Sequence, residues 1–292
     1  KHLLTIRLLT ALNYGLIAVL MWLLYSRFLP NYLNTFSCLS WLFLGYFFLN
    51  YPGMYILPWS TLFAVCSALF SLLLILRFLE TGSRSVLFAS GVVAALTFWF
   101  KINYGAASFL ATLLFLAVLQ LREERGRAAG TYAAFLGGCF AAHALFAGWL
   151  AAQGSLHDFW LQSVRFALAF SGNTVFSSHE YPAVRVIKSL LQVNSPHGGI
   201  SYIWLALPLA SCAVFLSSAR AFAIKKDVSA QNKAMLAVSS ASLGLWLGYY
   251  PVPALFHMYL SSVLFFGPLA YLVLRAADRL GFSGSRLLVL TA

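Results

Sequence analysis

Long apolar runs alternate with short polar segments along almost the whole chain. A membrane-spanning helix needs about 20 mostly apolar residues, and nine runs reach or approach that length. In chain order they are residues 6–26, 33–49, 57–76, 86–103, 105–121, 129–152, 201–219, 233–250 and 255–274. Apolar residues occur on all sides of each run, as expected for helices surrounded by lipid and by other helices. The pattern predicts an all-α, polytopic transmembrane helix bundle with about nine spans.

Residues 153–200 form the longest polar interruption, and at about 48 residues they are too long for a simple connection. Near the start, Leu156 and Trp160 fall on one helical face while Asp158 and Arg165 fall on the other. This pattern predicts a helix that lies in the plane of the membrane interface. A second short amphipathic stretch follows between residues 184 and 192. We therefore expect an outer insertion with interfacial helices between the sixth and seventh spans.

The composition supports a membrane protein and argues against a soluble one. Hydrophobic residues make up 61% of the chain, charged residues make up 9%, and the mean hydropathy is +0.84. Such a chain has more apolar surface than one water-facing globule can bury. Residues 1–292 are expected to form a single transmembrane domain, and both termini look as though they were cut from a longer protein.

The distribution of basic residues predicts the orientation of the bundle. The formal net charge is +12, but the basic residues lie between apolar runs and form no groove-sized patch, so nucleic acid is not an expected partner. With alternating connections, 13 basic residues fall on one side and 6 on the other. By the positive-inside rule the richer side is cytoplasmic. Lys101 and the insertion at 153–200 would then face outward.

A lysine, an amide and a phenol meet where the fourth run gives way to the fifth, at Lys101, Asn103 and Tyr104. A lysine at a helix end ordinarily extends its ammonium into the lipid headgroups. Gly105 follows directly, and a glycine allows close approach to the backbone. The same stretch could therefore hold a phosphate at the mouth of the bundle. Both interpretations stay open at this point.

His257 lies at the start of the ninth run, shortly after Tyr250 and a Pro-x-Pro bend. An interfacial histidine is commonly satisfied by water or by a tyrosine. The alternative is a hydrogen-bond donor to an anionic headgroup or a proton-transfer partner. That alternative requires Lys101 to lie nearby.

Acidic residues are rare on the predicted outer side, where Asp158 and Glu180 occur. A general base that activates an acceptor is usually a carboxylate or a histidine, so these two are candidates, although a solvated surface position explains each as well. Arg185 and Lys188 form a secondary cationic pair that suits a phosphate or anionic lipid. The four cysteines have neither CxxC nor His-paired spacing, so no metal site is predicted.

Two stretches of the sequence point to a known family. In residues 91–105 a helix of small residues ends in Lys101-x-Asn103-x-Gly105, and residues 250–257 read Tyr250-Pro-Val-Pro-Ala-Leu-Phe-His257. Both are similar to segments of bacterial GT-C membrane glycosyltransferases of the family 39 type, related to protein O-mannosyltransferases and to the aminoarabinose transferase of lipid A. The spacing of the spans is also similar across most of the chain.

The resemblance implies a membrane enzyme that takes a sugar from a polyprenyl-phosphate carrier and transfers it to an acceptor on the outer face of a bacterial inner membrane. The insertion at 153–200 would cap the site. The family's catalytic aspartate lies in the first outer loop, so we expect this base to precede Lys1. The donor-binding residues that the resemblance implies are Lys101, Asn103, Tyr104, Tyr250 and His257.

Two other functions stay open. One is a transporter or flippase of a lipid-linked or anionic substrate, and the other is a polymerase or ligase of surface polysaccharide. Transporters typically contain broken helices and charges at mid-membrane depth. Here the unusual polar residues collect at the outer ends of the runs, which favours transfer chemistry at the interface.

Overall fold

The computed structural model describes residues 2–49, 60–121, 125–165, 198–248 and 255–281, and every regular element in these ranges is helical. A six-residue π-helical segment, Trp160–Arg165, continues the seventh helix. The all-α fold class predicted from the sequence is confirmed. The helices are α1 (His2–Tyr25), α2 (Asn31–Leu49), α3 (Ser60–Thr81), α4 (Arg84–Phe100), α5 (Ile102–Gln120), α6 (Arg125–Ala152), α7 (Leu156–Phe159), α8 (Gly198–Ala223), α9 (Ala230–Leu247), α10 (Leu255–Ser261) and α11 (Phe266–Arg279).

Five helices are long and apolar enough to cross a membrane, which indicates an integral membrane protein. Helix α4 is apolar but shorter, at 17 residues. Each of the nine predicted runs contains a helix, yet among the described helices five meet the length and hydropathy of a span. The five spanning stretches are Leu4–Tyr25, Ser60–Thr81, Ile102–Gln120, Ala129–Ala152 and Ala206–Ala223.

The ninth predicted run is not one helix, because it breaks between α10 and α11. Pro268 lies in the first turn of α11, where its missing N–H and its ring are tolerated, whereas a continuous helix would place the ring against the carbonyl of Leu264. The break exposes backbone carbonyls inside the bundle. The Tyr25 hydroxyl donates to the Val263 carbonyl at 2.8 Å and so satisfies one of them.

Helices α4 and α6 approach each other closely through glycines. A Cβ added at Gly138 of α6 would collide with the Phe88 carbonyl oxygen of α4 and lie 3.1 Å from the Val92 nitrogen. A Cβ added at Gly91 of α4 would collide with the Phe135 carbonyl oxygen of α6. Small residues are what allow helix backbones to meet in a membrane, where no hydrophobic effect drives them together. This packing anchors α4, the helix that leads to Lys101.

Contacts sort the helix ends into two groups. At one end Arg27 forms an ion pair with Glu80, and the Arg84 guanidinium lies against Gly130. We call this the basic end. Lys101 lies at the opposite end of α4, which we call the Lys101 end. The grouping agrees with the alternation of connections that the sequence predicted.

The first part of the predicted interfacial helix is helical, over α7 and the π-helical segment Trp160–Arg165. The Phe159 ring packs against Trp99, with ring centroids 5.0 Å apart, so α7 lies at the Lys101 end. The second amphipathic stretch, residues 184–192, lies outside the described residues.

We predict that Gly138→Ala destabilises the protein because the new Cβ has no room beside Phe88. Overpacking of this kind costs about 1–3 kcal/mol. Gly148 is the matched control on the same helix, since a Cβ there meets nothing within 4 Å. Thermal unfolding in detergent should show a lower midpoint for Gly138→Ala and an equal or higher one for Gly148→Ala. Equal midpoints for the two variants would contradict the close packing of α4 on α6.

Candidate functional site

Lys101 is the single residue that joins α4 to α5. The fourth run therefore ends at Phe100, earlier than the predicted residue 103. The Lys101 backbone is extended, with φ −159° and ψ 109°. Its N–H donates to the Thr97 carbonyl at 3.0 Å, and its carbonyl accepts from the Gly105 N–H at 2.9 Å. Because both backbone groups are satisfied within the helix ends, only the side chain is available for other contacts.

The Lys101 side chain points into the bundle, where it is partly buried. Its ammonium donates to the Thr61 hydroxyl at 2.7 Å. The same ammonium lies 3.4 Å from Nδ1 of His257 and 5.2 Å from the centroid of the Tyr104 ring. These contacts join α3, α4, α5 and α10 around one cation. The structure thus brings together Lys101 and His257, two predicted site residues that lie 156 positions apart.

The Lys101 ammonium has no acidic partner within the part of the chain that the structure describes. Burial lowers its pKa from 10.5 to about 8. The amine therefore remains mostly protonated at neutral pH, but its charge is poorly solvated. An incoming anion would supply the missing counter-charge. This imbalance makes the position a candidate anion site and does not fit a lysine that only extends into the headgroups.

The contact with Lys101 also sets the hydrogen-bonding role of His257. An ammonium has donors and no acceptor, so Nδ1 of His257 must accept and the ring proton must lie on Nε2. Nε2 is then a hydrogen-bond donor on the other edge of the imidazole. A lysine ammonium and an N–H on the far edge of the neighbouring imidazole are two donors of the kind that bind different oxygens of one phosphate.

Tyr104 holds the histidine in position. Its side chain is fully buried, at 0% exposure. The Tyr104 hydroxyl shares a hydrogen bond of 2.6 Å with the Ser261 hydroxyl and donates to the His257 carbonyl at 3.4 Å. Helix α10 is therefore fixed to α5 directly beneath the imidazole. Tyr104 positions His257 in this arrangement, and its own hydroxyl is already used.

Asn103 and Gly105 are also used in packing. The Asn103 amide donates to the Gly248 carbonyl, which ties α5 to the end of α9. A Cβ at Gly105 would collide with the Phe98 backbone of α4. Gly105 therefore allows the chain to turn back closely at Lys101. This close packing explains why a glycine occurs at position 105, so access of a ligand to the backbone is not needed as an explanation.

Several predicted site residues lie outside the described residues, namely Tyr250, Glu180, Arg185 and Lys188. Asp158 is described, and its side chain is exposed on α7 at the Lys101 end. Among the described residues, no group of three or more His, Cys, Asp or Glu side chains could hold a metal ion.

Two functional contacts were not identified from the sequence, Thr61 and Ser261. Both are hydroxyl residues within apolar runs, and one turn separates Ser261 from His257. Serine and threonine are common in membrane helices, where they often bond to the carbonyl four residues earlier, as Ser37 does to Leu33 at 2.7 Å. The sequence therefore gave no signal that set these two apart.

The site is thus a buried ammonium and an imidazole N–H, held by Thr61 and Tyr104, with no described carboxylate beside them. Such a group can bind an anion and stabilise negative charge on it. No protein-family model, no curated protein and no solved structure matches this chain.

Proposed function

We propose that this chain is a membrane glycosyltransferase of the GT-C type, which moves a sugar from a polyprenyl-phosphate carrier to an acceptor. The observation that carries the proposal is the meeting of Lys101 Nζ and His257 Nδ1 at 3.4 Å. The two residues come from the two stretches that resemble this family. A donor pair at a helix end fits a phosphate that arrives from the membrane interface.

In this proposal the carrier phosphate accepts hydrogen bonds from the Lys101 ammonium and from Nε2–H of His257. Thr61 keeps the ammonium in place while the phosphate exchanges. When the sugar leaves, negative charge grows on the carrier phosphate, and a nearby poorly solvated cation stabilises it more than bulk water would. Asn103 and Tyr104 contribute by holding α9 and α10, and Tyr250 is a further donor-binding residue that the resemblance implies.

The base that activates the acceptor is a separate question from phosphate binding. Asp158 and Glu180 are the candidates within this chain, and the resemblance places the family's aspartate ahead of Lys1. Arg185 and Lys188 would contact the carrier phosphate or anionic lipid from the insertion at 153–200. The remaining partners are the surrounding membrane lipids and an acceptor that the site chemistry does not define.

We further propose nine crossings, with α10 and α11 together forming the last one, and a bacterial inner membrane as the location. The Lys101 end would then face outward and the basic end would face the cytoplasm, following the 13 to 6 distribution of basic residues. In this proposed topology, residues 1–292 form a single transmembrane domain.

A transporter or flippase is the second candidate function, and the break between α10 and α11 favours it. Against it, none of the fully buried side chains in the described ranges carries a charge. A polysaccharide polymerase or ligase would use the same donor site. It would differ from the proposed glycosyltransferase only in the acceptor that receives the sugar.

We predict that Lys101→Met abolishes transfer from a polyprenyl-phosphate sugar, with donor affinity lowered by about 100-fold because a charged hydrogen bond in a buried site is lost. Transfer by the purified protein in lipid vesicles is the measurement. Lys233→Met, at the start of α9 and away from the site, is the control and should retain full activity. Unchanged turnover in Lys101→Met would remove this residue from the proposed site. Movement of an intact lipid-linked sugar across the vesicle, without transfer, would favour the flippase.

The low pKa of Lys101 predicts that donor binding weakens in alkaline solution. With a pKa of about 8, the protonated fraction falls as the pH rises from 7 to 9, so donor affinity should fall by about tenfold. Lys101→Arg is the matched variant, because a guanidinium stays charged throughout this range. Binding isotherms at each pH measure the effect. If donor affinity fell equally with pH in Lys101→Arg and in the unmodified protein, a group other than Lys101 would be responsible for the pH dependence.

Two substitutions of His257 separate the roles of its ring nitrogens. Glutamine places an amide N–H near the position of Nε2, whereas asparagine places its polar atoms near Nδ1 and has no donor at the Nε2 position. We predict that His257→Gln retains most donor affinity and that His257→Asn loses about tenfold, the effect of one missing hydrogen bond. Unfolding midpoints of the two variants serve as the folding control. Full affinity in His257→Asn would argue against Nε2–H as a phosphate donor.

A further inference from the structure

A second charged site lies at the basic end, in a cleft between α8, α9 and α11. The cleft has a volume of about 720 Å³, which is within the range of ligand-binding pockets. Tyr271 in its wall packs against Phe28, and Gln231 donates to the Phe28 carbonyl, so the cleft lies beside the turn after α1. The proposed donor site is at the other end of the bundle.

Three cations line this cleft, Lys225, Arg275 and Arg279, together with the carboxylates Asp227 and Asp278. In the ranges that the structure describes, none of the three cations is in an ion pair within 4.0 Å. The cleft therefore carries one excess positive charge, three cations minus two carboxylates, and its cations are not neutralised by contact.

Tyr271 holds the Arg275 guanidinium in one orientation. The Arg275 Nε donates to the Tyr271 hydroxyl at 2.8 Å, and its guanidinium carbon lies 5.4 Å from the centroid of the same ring. Tyr271 is buried, so this contact fixes the plane of the guanidinium. No hydrogen bond within the described ranges uses the two terminal nitrogens of Arg275. A fixed guanidinium with both terminal N–H groups available matches a phosphate in the bidentate mode.

The opposite wall is also fixed. Asn232 is 3% exposed, and its amide donates to the Ser218 carbonyl at 3.2 Å and to the Asp227 carbonyl at 2.9 Å. The Asp227 side chain accepts from the Ser229 N–H at 3.1 Å. The loop that carries Lys225 is therefore held against α8 and α9, so the cleft needs little ordering when a ligand binds.

Apolar side chains complete the lining of the cleft. They are Ala213 on α8 and Leu272 and Ala276 on α11. Leu209, one turn before Ala213 on the same row of α8, is 59% exposed. A soluble phosphate would leave these apolar side chains uncovered, whereas an acyl chain would cover them. The cations and the adjacent apolar side chains together fit an amphipathic ligand.

We propose that this cleft binds the phosphodiester of an anionic membrane phospholipid. The Arg275 terminal nitrogens and the Lys225 ammonium hold the phosphate, and an acyl chain lies along Ala213 and Leu209. The carboxylates of Asp227 and Asp278 accept from hydroxyl groups of a polyol headgroup. Basic pockets between helices commonly recognise such lipids. The lipid would join α11 to α8 and stabilise the last part of the bundle.

The test uses the purified full chain in neutral detergent, titrated with phosphatidylglycerol, with phosphatidylcholine or with glycerol 3-phosphate. Native mass spectrometry counts bound lipid, and thermal unfolding reports stabilisation. We expect phosphatidylglycerol to bind in one retained copy and to raise the midpoint, while the other two ligands do neither. Lys225→Gln and Arg275→Gln should each weaken phosphatidylglycerol binding by about fivefold.

One variant serves as the control. Arg220→Gln removes an exposed cation of α8 that does not line the cleft. It should bind phosphatidylglycerol as the unmodified chain does. Lys225 is exposed, so Lys225→Gln keeps the test valid if Arg275→Gln unfolds.

Three results would overturn the proposal. Equal binding of phosphatidylglycerol by Lys225→Gln and the unmodified chain would remove the cleft from the interaction. Equal stabilisation by phosphatidylcholine would remove the requirement for negative charge. Stabilisation by glycerol 3-phosphate alone would assign the cleft to a soluble phosphate.

Discussion

A lysine ammonium partly buried in the bundle is the constraint on which the rest of the Lys101 end depends. One extended residue joins α4 to α5, and Gly105 lies close against the Phe98 backbone at that turn. The Lys101 side chain lies against the bundle interior, where an ammonium is costly unless polar groups surround it. Thr61, His257 and the Tyr104 ring supply those groups from three other helices. These neighbours stabilise the cation, and among the described residues none of them supplies a negative charge.

The apolar runs were sufficient to predict the all-α fold class, since a backbone in lipid has no alternative to internal hydrogen bonding. The break after Ser261 was not predicted, because residues 255–274 are uniformly apolar and average hydropathy contains no information about backbone geometry. The sequence feature that indicates a break is Gly267-Pro268. Proline marks a helix start at this position, and a Cβ at Gly267 would collide with the Tyr25 ring. That contact is tertiary, so the sequence could suggest the break but not its fit against α1.

Within the site, the sequence could identify Lys101 and His257 as unusual but could not separate ligand contacts from supports. Tyr104 illustrates the difficulty, because a tyrosine beside a lysine is equally suited to touch a headgroup or to hold a neighbouring helix. Full burial and the bond to Ser261 assign the second role. Asn103 also supports a neighbouring helix, because its amide donates to the Gly248 carbonyl at the end of α9. Roles of this kind depend on which helix lies opposite, and hydrophobic periodicity contains no information about that partner.

The two cationic sites differ in a way that suits different residence times. Lysine changes its pKa readily when it is buried, and at Lys101 that change brings proton loss close to neutral pH. Its binding of an anion would therefore weaken as the pH rises through about 8, and the proposed release of a spent carrier could use this loss. Arg275 stays charged under all such conditions, and Tyr271 fixes its orientation. A site built on arginine suits a ligand that stays, and a resident lipid between α8 and α11 would hold the helix pair that follows His257 in the chain.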